Sequence, residues 1–202
     1  MVLLHELSEL LQAEDPEERQ IITGVSWEGY EVLLQDLGDS GKYRVTYFDG
    51  VIELVSPSRR HERQKSIIGS LLEAYFQEQR IRYFPLGSTT FRQPDKRGGT
   101  EPDESYCIGT EKDFPDLAIE IIVTSGGVDK LAVYHVLGVQ EVWFFRNNIF
   151  QVYILQGESY QEVVKSVLLP NLDLRMLAEY TLLPDTLEAV LEFRQRVRET
   201  LS

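Results

Sequence analysis

The spacing of apolar and polar residues divides the chain into helical and extended segments. Five segments place apolar residues three and four positions apart, which is the spacing of an amphipathic helix. They are residues 1–13, 26–37, 60–78 and 128–137, and a last helix that ends at about Arg198. Pro16 follows the first segment, Ser26 can cap the second, and Asp185 or Thr186 can cap the last.

Several shorter segments are rich in β-branched and aromatic residues, and turn residues separate them. Asp49-Gly50 joins two of them and is typical of a hairpin turn. The predicted strands are 43–48, 51–56, 82–84, 88–92, 104–108, 117–123 and three antiparallel strands within 140–166, with turns at Asn147-Asn148 and Gln156-Gly157.

This order of elements predicts an α/β (α+β) fold, a mixed β-sheet flanked by helices. With 202 residues, of which 43% are hydrophobic, the chain is long enough for one domain with terminal additions. We expect an N-terminal helical arm at 1–20, a central domain at 21–170, and a C-terminal helical extension at 171–202 that packs on the same domain.

Composition limits the compartment and the partners. A single cysteine, Cys107, excludes an intramolecular disulfide framework and a cysteine-rich zinc site, and it fits a reducing cytoplasm. The sequence has no apolar run long enough for a signal peptide or a membrane span, so we expect a cytoplasmic protein without a membrane partner. The net charge of −13 disfavours strong binding to polyanions unless basic residues cluster.

One such cluster lies at the start of the long third helix. Its members are Arg59, Arg60, Arg63 and Lys65. They form either a solvated helix face or a group of phosphate contacts.

Acidic residues suggest a metal site around the segment EPDESYCIGTEKDFPDLAIEII, residues 101–122. Asp116 and Glu120 lie four residues apart on one strand, roughly 13 Å at about 3.3 Å per residue, which is too far to share a small cation. Asp103 begins the preceding strand, so its carboxylate can sit opposite Glu120 if the two strands pair. We therefore expect Asp103 and Glu120 to share the site, and Asp116 to have a turn role.

Glu120 lies in the apolar segment LAIEIIV and is expected to be buried. A buried acid needs a partner, and a salt bridge inside the sheet would satisfy it as well as a metal ion would. Lys130, near the start of the following helix, can point back over the strand end. Glu53 shares a strand face with two valines. His61 is either a polar residue at a helix start or a general base or phosphate contact near the site.

Four motifs in order carry a resemblance to a known family: DGVIELVSPS at 49–58, EPD at 101–103, PDLAIEI at 115–121 and DKLAVYHVLGVQEVWFF at 129–145. Over about residues 26–165 the chain resembles the Uma-two family of restriction endonuclease-like proteins, a branch of the PD-(D/E)xK nuclease superfamily. The resemblance implies a restriction endonuclease-like fold and metal-dependent hydrolysis of phosphodiester bonds, with DNA as the expected substrate.

The resemblance also implies roles for individual residues. Asp103 and Glu120 match the acids that hold a divalent metal, Mg²⁺ or Mn²⁺. The motif lysine is replaced by Ile122, and Lys130 is the expected substitute. Glu53 and His61 match two further catalytic positions.

Two alternatives stay open. The chain could be an inactive nuclease fold that acts as a binding or scaffold module. It could also form a homodimer through the Trp143 strand and the terminal helices, which would suit an enzyme that cuts two strands.

Overall fold

The computed structural model describes residues 18–38, 42–123 and 127–200. These residues contain eleven β-strands, five α-helices and one 3₁₀ helix at Pro94–Lys96. The strands are β1 (Glu18–Thr23), β2 (Arg44–Phe48), β3 (Val51–Ser56), β4 (Tyr83–Pro85), β5 (Phe91–Gln93), β6 (Gly98–Thr100), β7 (Glu104–Ile108), β8 (Leu117–Ile121), β9 (Glu141–Arg146), β10 (Ile149–Gln156) and β11 (Ser159–Val163). The helices are α1 (Trp27–Leu37), α2 (Arg59–Glu78), α3 (Lys130–Leu137), α4 (Leu174–Thr181) and α5 (Thr186–Glu199).

The strands form two sheets rather than one. The first is antiparallel with the order β1-β3-β2-β6-β5, and the second has the order β11-β10-β9-β8-β7-β4. The second sheet is mixed, because β8 and β9 are parallel and α3 connects them while the other neighbours are antiparallel. The mixed α/β architecture expected from the sequence is confirmed.

Two of the three predicted hairpin turns lie at the predicted residues, and the third lies one residue later, at Gly157-Glu158. Asp49 and Gly50 have φ of 41° and 89°, and Asn147 and Asn148 have φ of 50° and 62°. Positive φ at both central residues is typical of a type I′ turn, whose twist matches that of the flanking strands.

The main core lies between the second sheet and the helices α2, α4 and α5. It includes Leu71 and Phe76 from α2, Trp143 and Phe145 from β9, and Phe193 from α5. The Trp143 side chain is fully buried in this core. Two smaller clusters lie where α3 covers the other face of this sheet and where α1 covers the first sheet.

Two strands, one α-helix and the 3₁₀ helix were not predicted. β1 begins in the segment assigned to the N-terminal arm, and α4 is a short helix in the tail, capped by Asp173. β6 also has no counterpart among the predicted strands, and its residues Gly98 and Gly99 lie where a Cβ would meet the side chains of Val136 and Tyr30. The predicted N-terminal helix lies outside the described residues. No helix among residues 18–38, 42–123 and 127–200 is long and apolar enough to cross a membrane.

Candidate active site

A pocket of about 360 Å³ lies between the two sheets, next to the first turns of α2 and α3. It is rich in charged side chains. The acidic residues that line it are Glu53, Glu101, Asp103, Glu120 and Asp129, and the basic ones are Arg19, Arg44, Lys130 and Arg146, together with His61. All five residues that the sequence assigned to catalysis therefore line one pocket.

Strand pairing brings the two central acids together. Glu104 of β7 pairs with Ile119 of β8, and the amide of Asp103 donates to the carbonyl of Ile119, so Asp103 lies beside Glu120. Both residues are buried, at 3% and 4% exposure. The hairpin geometry expected from the spacing of the acids is thus present.

Asp103 is held through one of its oxygens. Oδ2 accepts a hydrogen bond from the amide of Ile121 at 2.7 Å and lies 3.0 Å from Nε2 of His61. The His61 amide donates to Oγ of Ser58, the N-cap of α2, so the helix start positions the imidazole. His61 thus lies at the site through its contact with Asp103.

Glu120 is also held through one oxygen. Oε1 accepts hydrogen bonds from Nζ of Lys130 at 3.1 Å and from the hydroxyl of Tyr134. Lys130 also donates to Oγ1 of Thr100 at 3.2 Å. The first residue of α3 therefore reaches back over the end of β8, as proposed from the sequence.

The charge state of Glu120 reflects opposing effects. Burial raises the pKa of Glu120, the ammonium of Lys130 lowers it, and the nearby Asp103 carboxylate raises it. Burial and the adjacent Glu120 also raise the pKa of Tyr134 well above its ordinary value, so this phenol stays a hydrogen-bond donor. Tyr134 was not predicted as a site residue, although a residue four positions after Lys130 shares its helix face.

Glu53 is near the central acids but has its own partner. Its carboxylate is 2% exposed, and Nη1 of Arg19 lies 2.7 Å from Oε1. Gly127 covers this ion pair, since a Cβ at that position would come within 1.9 Å of Oε1. Arg19 was missed because it lies on β1, the strand that was not predicted.

Asp116 is placed away from the pocket, in the turn before β8. Its carboxylate accepts hydrogen bonds from the amide of Ile108 at 2.7 Å and from Nζ of Lys112 at 2.6 Å. The expected turn role of Asp116 is confirmed.

The predicted phosphate contacts lie outside this pocket. Arg60 and Arg63 line a separate groove beside α4, where Nη2 of Arg63 donates to the carbonyl of Pro184 at 2.8 Å. Arg59 and Lys65 line neither cavity. Arg44 and Arg146 are the additional cations in the pocket, and nothing in their local sequence distinguishes them.

The donor set is compatible with a hard divalent cation. Oδ1 of Asp103 and Oε2 of Glu120 accept no hydrogen bond from the described residues, so each acid keeps one oxygen available. Across 18–38, 42–123 and 127–200 no group of three or more histidine, cysteine, aspartate or glutamate side chains could hold a metal. Mg²⁺ is commonly bound by one or two carboxylates, with water and substrate phosphate as its other ligands, and two acids satisfy that requirement.

Comparison with known proteins supports the motif-based resemblance. A family model named Uma2 and described as "Putative restriction endonuclease" matches residues 27–187, which include every residue assigned to the site except Arg19. A search of curated proteins finds no match to the chain.

Proposed function

The chain belongs to the Uma2 family, and from this premise we propose that it is a metal-dependent endonuclease that hydrolyses phosphodiester bonds of DNA. One observation carries the proposal. Asp103 and Glu120 come from paired segments, lie side by side in a pocket, and each keep one oxygen without a hydrogen bond from the described residues.

These two acids would hold Mg²⁺ or Mn²⁺. When bound, such an ion lowers the pKa of a water ligand and offsets the negative charge of the phosphate. The charge of the pocket agrees with this role, since five acidic side chains face four basic ones. A divalent cation would reverse the sign of that balance and make the pocket attractive to a phosphodiester.

The chain's own groups would position the acids and stabilise the phosphate. His61 and the amide of Ile121 fix one oxygen of Asp103, and Tyr134 fixes one oxygen of Glu120. Lys130 would supply the positive charge that the superfamily motif places at position 122. Its ammonium has a further hydrogen available for a phosphate oxygen beyond those given to Glu120 and Thr100.

Arg146 is the best candidate for an additional phosphate contact. Its guanidinium lines the pocket and forms no ion pair with the described part of the chain. The cluster of Arg59, Arg60, Arg63 and Lys65 stays a prediction for contacts along a longer substrate.

A second candidate function is a non-catalytic binding or scaffold module with the same fold. It is favoured by the internal pairing of the acids, since Glu53 is bound to Arg19 and Glu120 to Lys130. In that case Lys130 would take the place of the metal rather than assist it. Homodimer formation stays a prediction under both functions.

Nicking of a supercoiled plasmid separates the two candidates. We expect nicking with Mg²⁺ or Mn²⁺, none with EDTA, and loss of nicking in Asp103→Asn and Glu120→Gln. Glu104→Gln is the matched control, because Glu104 is the next residue on the same strand and its side chain faces Gly69 of α2, away from the pocket. Equal nicking by all four proteins, or none by the wild type, would contradict the catalytic proposal.

A further inference from the structure

The pocket has a second wall that catalysis as described above does not use. On β9 and β10, alternate residues point into the core, and the intervening ones, Phe144, Arg146, Gln151 and Tyr153, line the pocket. The rings of Phe144 and Tyr153 lie 5.5 Å apart at 70°. An apolar aromatic surface therefore continues directly from the charged part of the pocket.

Strand register connects this wall to the acids. Glu120 pairs with Phe144 in the parallel β8–β9 ladder, and Phe144 pairs with Gln151 in the antiparallel β9–β10 ladder. Paired residues on neighbouring strands project from the same face of a sheet. A row of Asp103, Glu120, Phe144 and Gln151 thus crosses the sheet, and adjacent strands are about 4.8 Å apart.

The chemistry along this row changes from carboxylate to aromatic ring to amide. The distance from Glu120 to Gln151 is two strand spacings, about 10 Å, which is comparable to the span of one nucleotide from its phosphate to the edge of its base. A phosphate at the acids would therefore place the attached base over Phe144 and Tyr153. The Gln151 amide, which can donate and accept, would lie near the base edge.

We propose that the pocket binds one unpaired nucleotide of DNA, with its base stacked on the ring of Phe144 and bordered by the ring of Tyr153, and its phosphate at Asp103 and Glu120. This inference rests on the proposed function, because it assigns the phosphate to the catalytic acids. It adds the substrate class, which is single-stranded DNA or a strand from which one nucleotide has been extruded.

Packing of the aromatic side chains favours a preformed platform. Phe144 contacts the apolar cluster beneath α3 with one side, and the Tyr153 hydroxyl donates to Oε2 of Glu162 at 3.4 Å. Both rings are only partly buried, so each keeps an exposed surface. Bases inside a duplex have both faces covered by stacking, so only an unpaired base can use this surface.

The size and charge of the chain agree with a local binding mode. A pocket of about 360 Å³ is within the range that small ligands occupy. The net charge of −13 disfavours extended contact with a duplex backbone, whereas one phosphate and one base need only the pocket. The salt dependence of binding should then be shallow, corresponding to one or two phosphate contacts.

Fluorescence anisotropy on the full chain tests the proposal. The probes are a labelled single strand, a hairpin duplex of the same sequence, and that duplex with one bulged nucleotide, all in Ca²⁺ to limit cleavage. We expect the single strand and the bulged duplex to bind more tightly than the perfect duplex. Phe144→Leu should weaken single-strand binding by about 5- to 150-fold, the effect of losing one base–aromatic stack.

Phe48→Leu is the matched control. Phe48 is also partly buried against the apolar cluster beneath α3, but it does not line the pocket. We expect it to change single-strand affinity less than about twofold. An equal effect of the two substitutions would overturn the proposal, as would equal affinity for the single strand and the perfect duplex.

A measurement on the wild type keeps the test valid if Phe144→Leu fails to fold. A single strand that contains one 2-aminopurine between two abasic sites, so that no neighbouring base quenches it, should lose fluorescence on binding, because stacking on an aromatic ring quenches this base. Unchanged or increased fluorescence in the complex would overturn the proposal. Tight duplex binding with metal-dependent nicking would overturn this inference alone, whereas absence of both DNA binding and nicking would overturn the proposed function as well.

Discussion

Replacing Lys130 with methionine should leave the Glu120 carboxylate buried without its cation. Nζ of Lys130 lies 3.1 Å from Oε1 of Glu120, and the two side chains are 15% and 6% exposed. Removing one partner of a buried pair typically costs about 3–5 kcal/mol. The Tyr134 hydroxyl continues to donate to Glu120. We therefore expect Lys130→Met to lower the free energy of unfolding by about 3 kcal/mol at pH 8, the lower end of that range.

The loss of stability should depend on pH in a defined direction. Burial already raises the pKa of Glu120 in the folded protein, and removal of the lysine raises it further. A carboxyl group whose pKa is higher in the folded than in the unfolded protein destabilises the fold at pH values above the unfolded-state pKa. This destabilisation grows with pH until the pH exceeds the folded-state pKa. The difference in free energy of unfolding between wild type and Lys130→Met should thus be small near pH 5 and reach its full value at pH 8.

Urea unfolding at the two pH values, followed by tryptophan fluorescence, measures this difference. The double variant Lys130→Met/Glu120→Gln completes a mutant cycle, since it removes the buried charge together with its partner. We expect the double variant to be more stable than Lys130→Met at pH 8. An equal loss of stability at both pH values, or a double variant as unstable as the single one, would refute the assigned ion pair.

Three further predictions concern groups around the pocket. Tyr134→Phe removes a buried donor to the Glu120 carboxylate and should cost about 2 kcal/mol in urea unfolding. Burial raises the pKa of Glu104 to about 7, so the stability of the wild type should fall as the pH rises from about 5 to 8. Glu104→Gln removes this ionisation and should raise the melting temperature at pH 8 but not at pH 5. Gly127→Ala should destabilise the fold, because φ is 123° and the new Cβ would lie 1.9 Å from Oε1 of Glu53.

Each of these predictions has a matched comparison. Tyr153→Phe removes a phenol from a partly exposed site and should cost less than Tyr134→Phe. Gly109→Ala introduces the same methyl group at φ 84° with no atom within 4 Å, so it should cost only the backbone strain of about 1–2 kcal/mol. Equal losses within either pair, or a Glu104→Gln effect that does not depend on pH, would contradict the contacts assigned here.

The central acids could be identified from the sequence because local rules determine their positions. Asp103 precedes one apolar strand and Glu120 lies inside the next, and pairing of consecutive strands in sequence is sufficient to bring them together. Lys130 follows from the same reasoning, since the connection to α3 is short. Hairpin turns and helix N-caps also depend on neighbouring residues alone, and the turns at Asp49-Gly50 and Asn147-Asn148 were correctly predicted.

Other parts of the site depend on contacts between distant segments. Arg19 reaches Glu53 only because β1 pairs with β3, and the segment ERQIIT has no alternation that predicts a half-buried strand. β6 is a strand made largely of glycine, whose strand propensity is low, and the close approach of Tyr30 and Val136 explains its composition. The position of Phe144 in the pocket was not predicted, because the segment VWFF does not reveal which face of the strand meets a pocket.

Calorimetric titration of Mn²⁺ at low salt tests the central claim most directly. We expect the wild type and Glu104→Gln to bind Mn²⁺ with similar affinity, and Asp103→Asn and Glu120→Gln each to weaken binding by more than about tenfold. Equal binding by all four proteins, or no binding by the wild type, would contradict a metal site at Asp103 and Glu120.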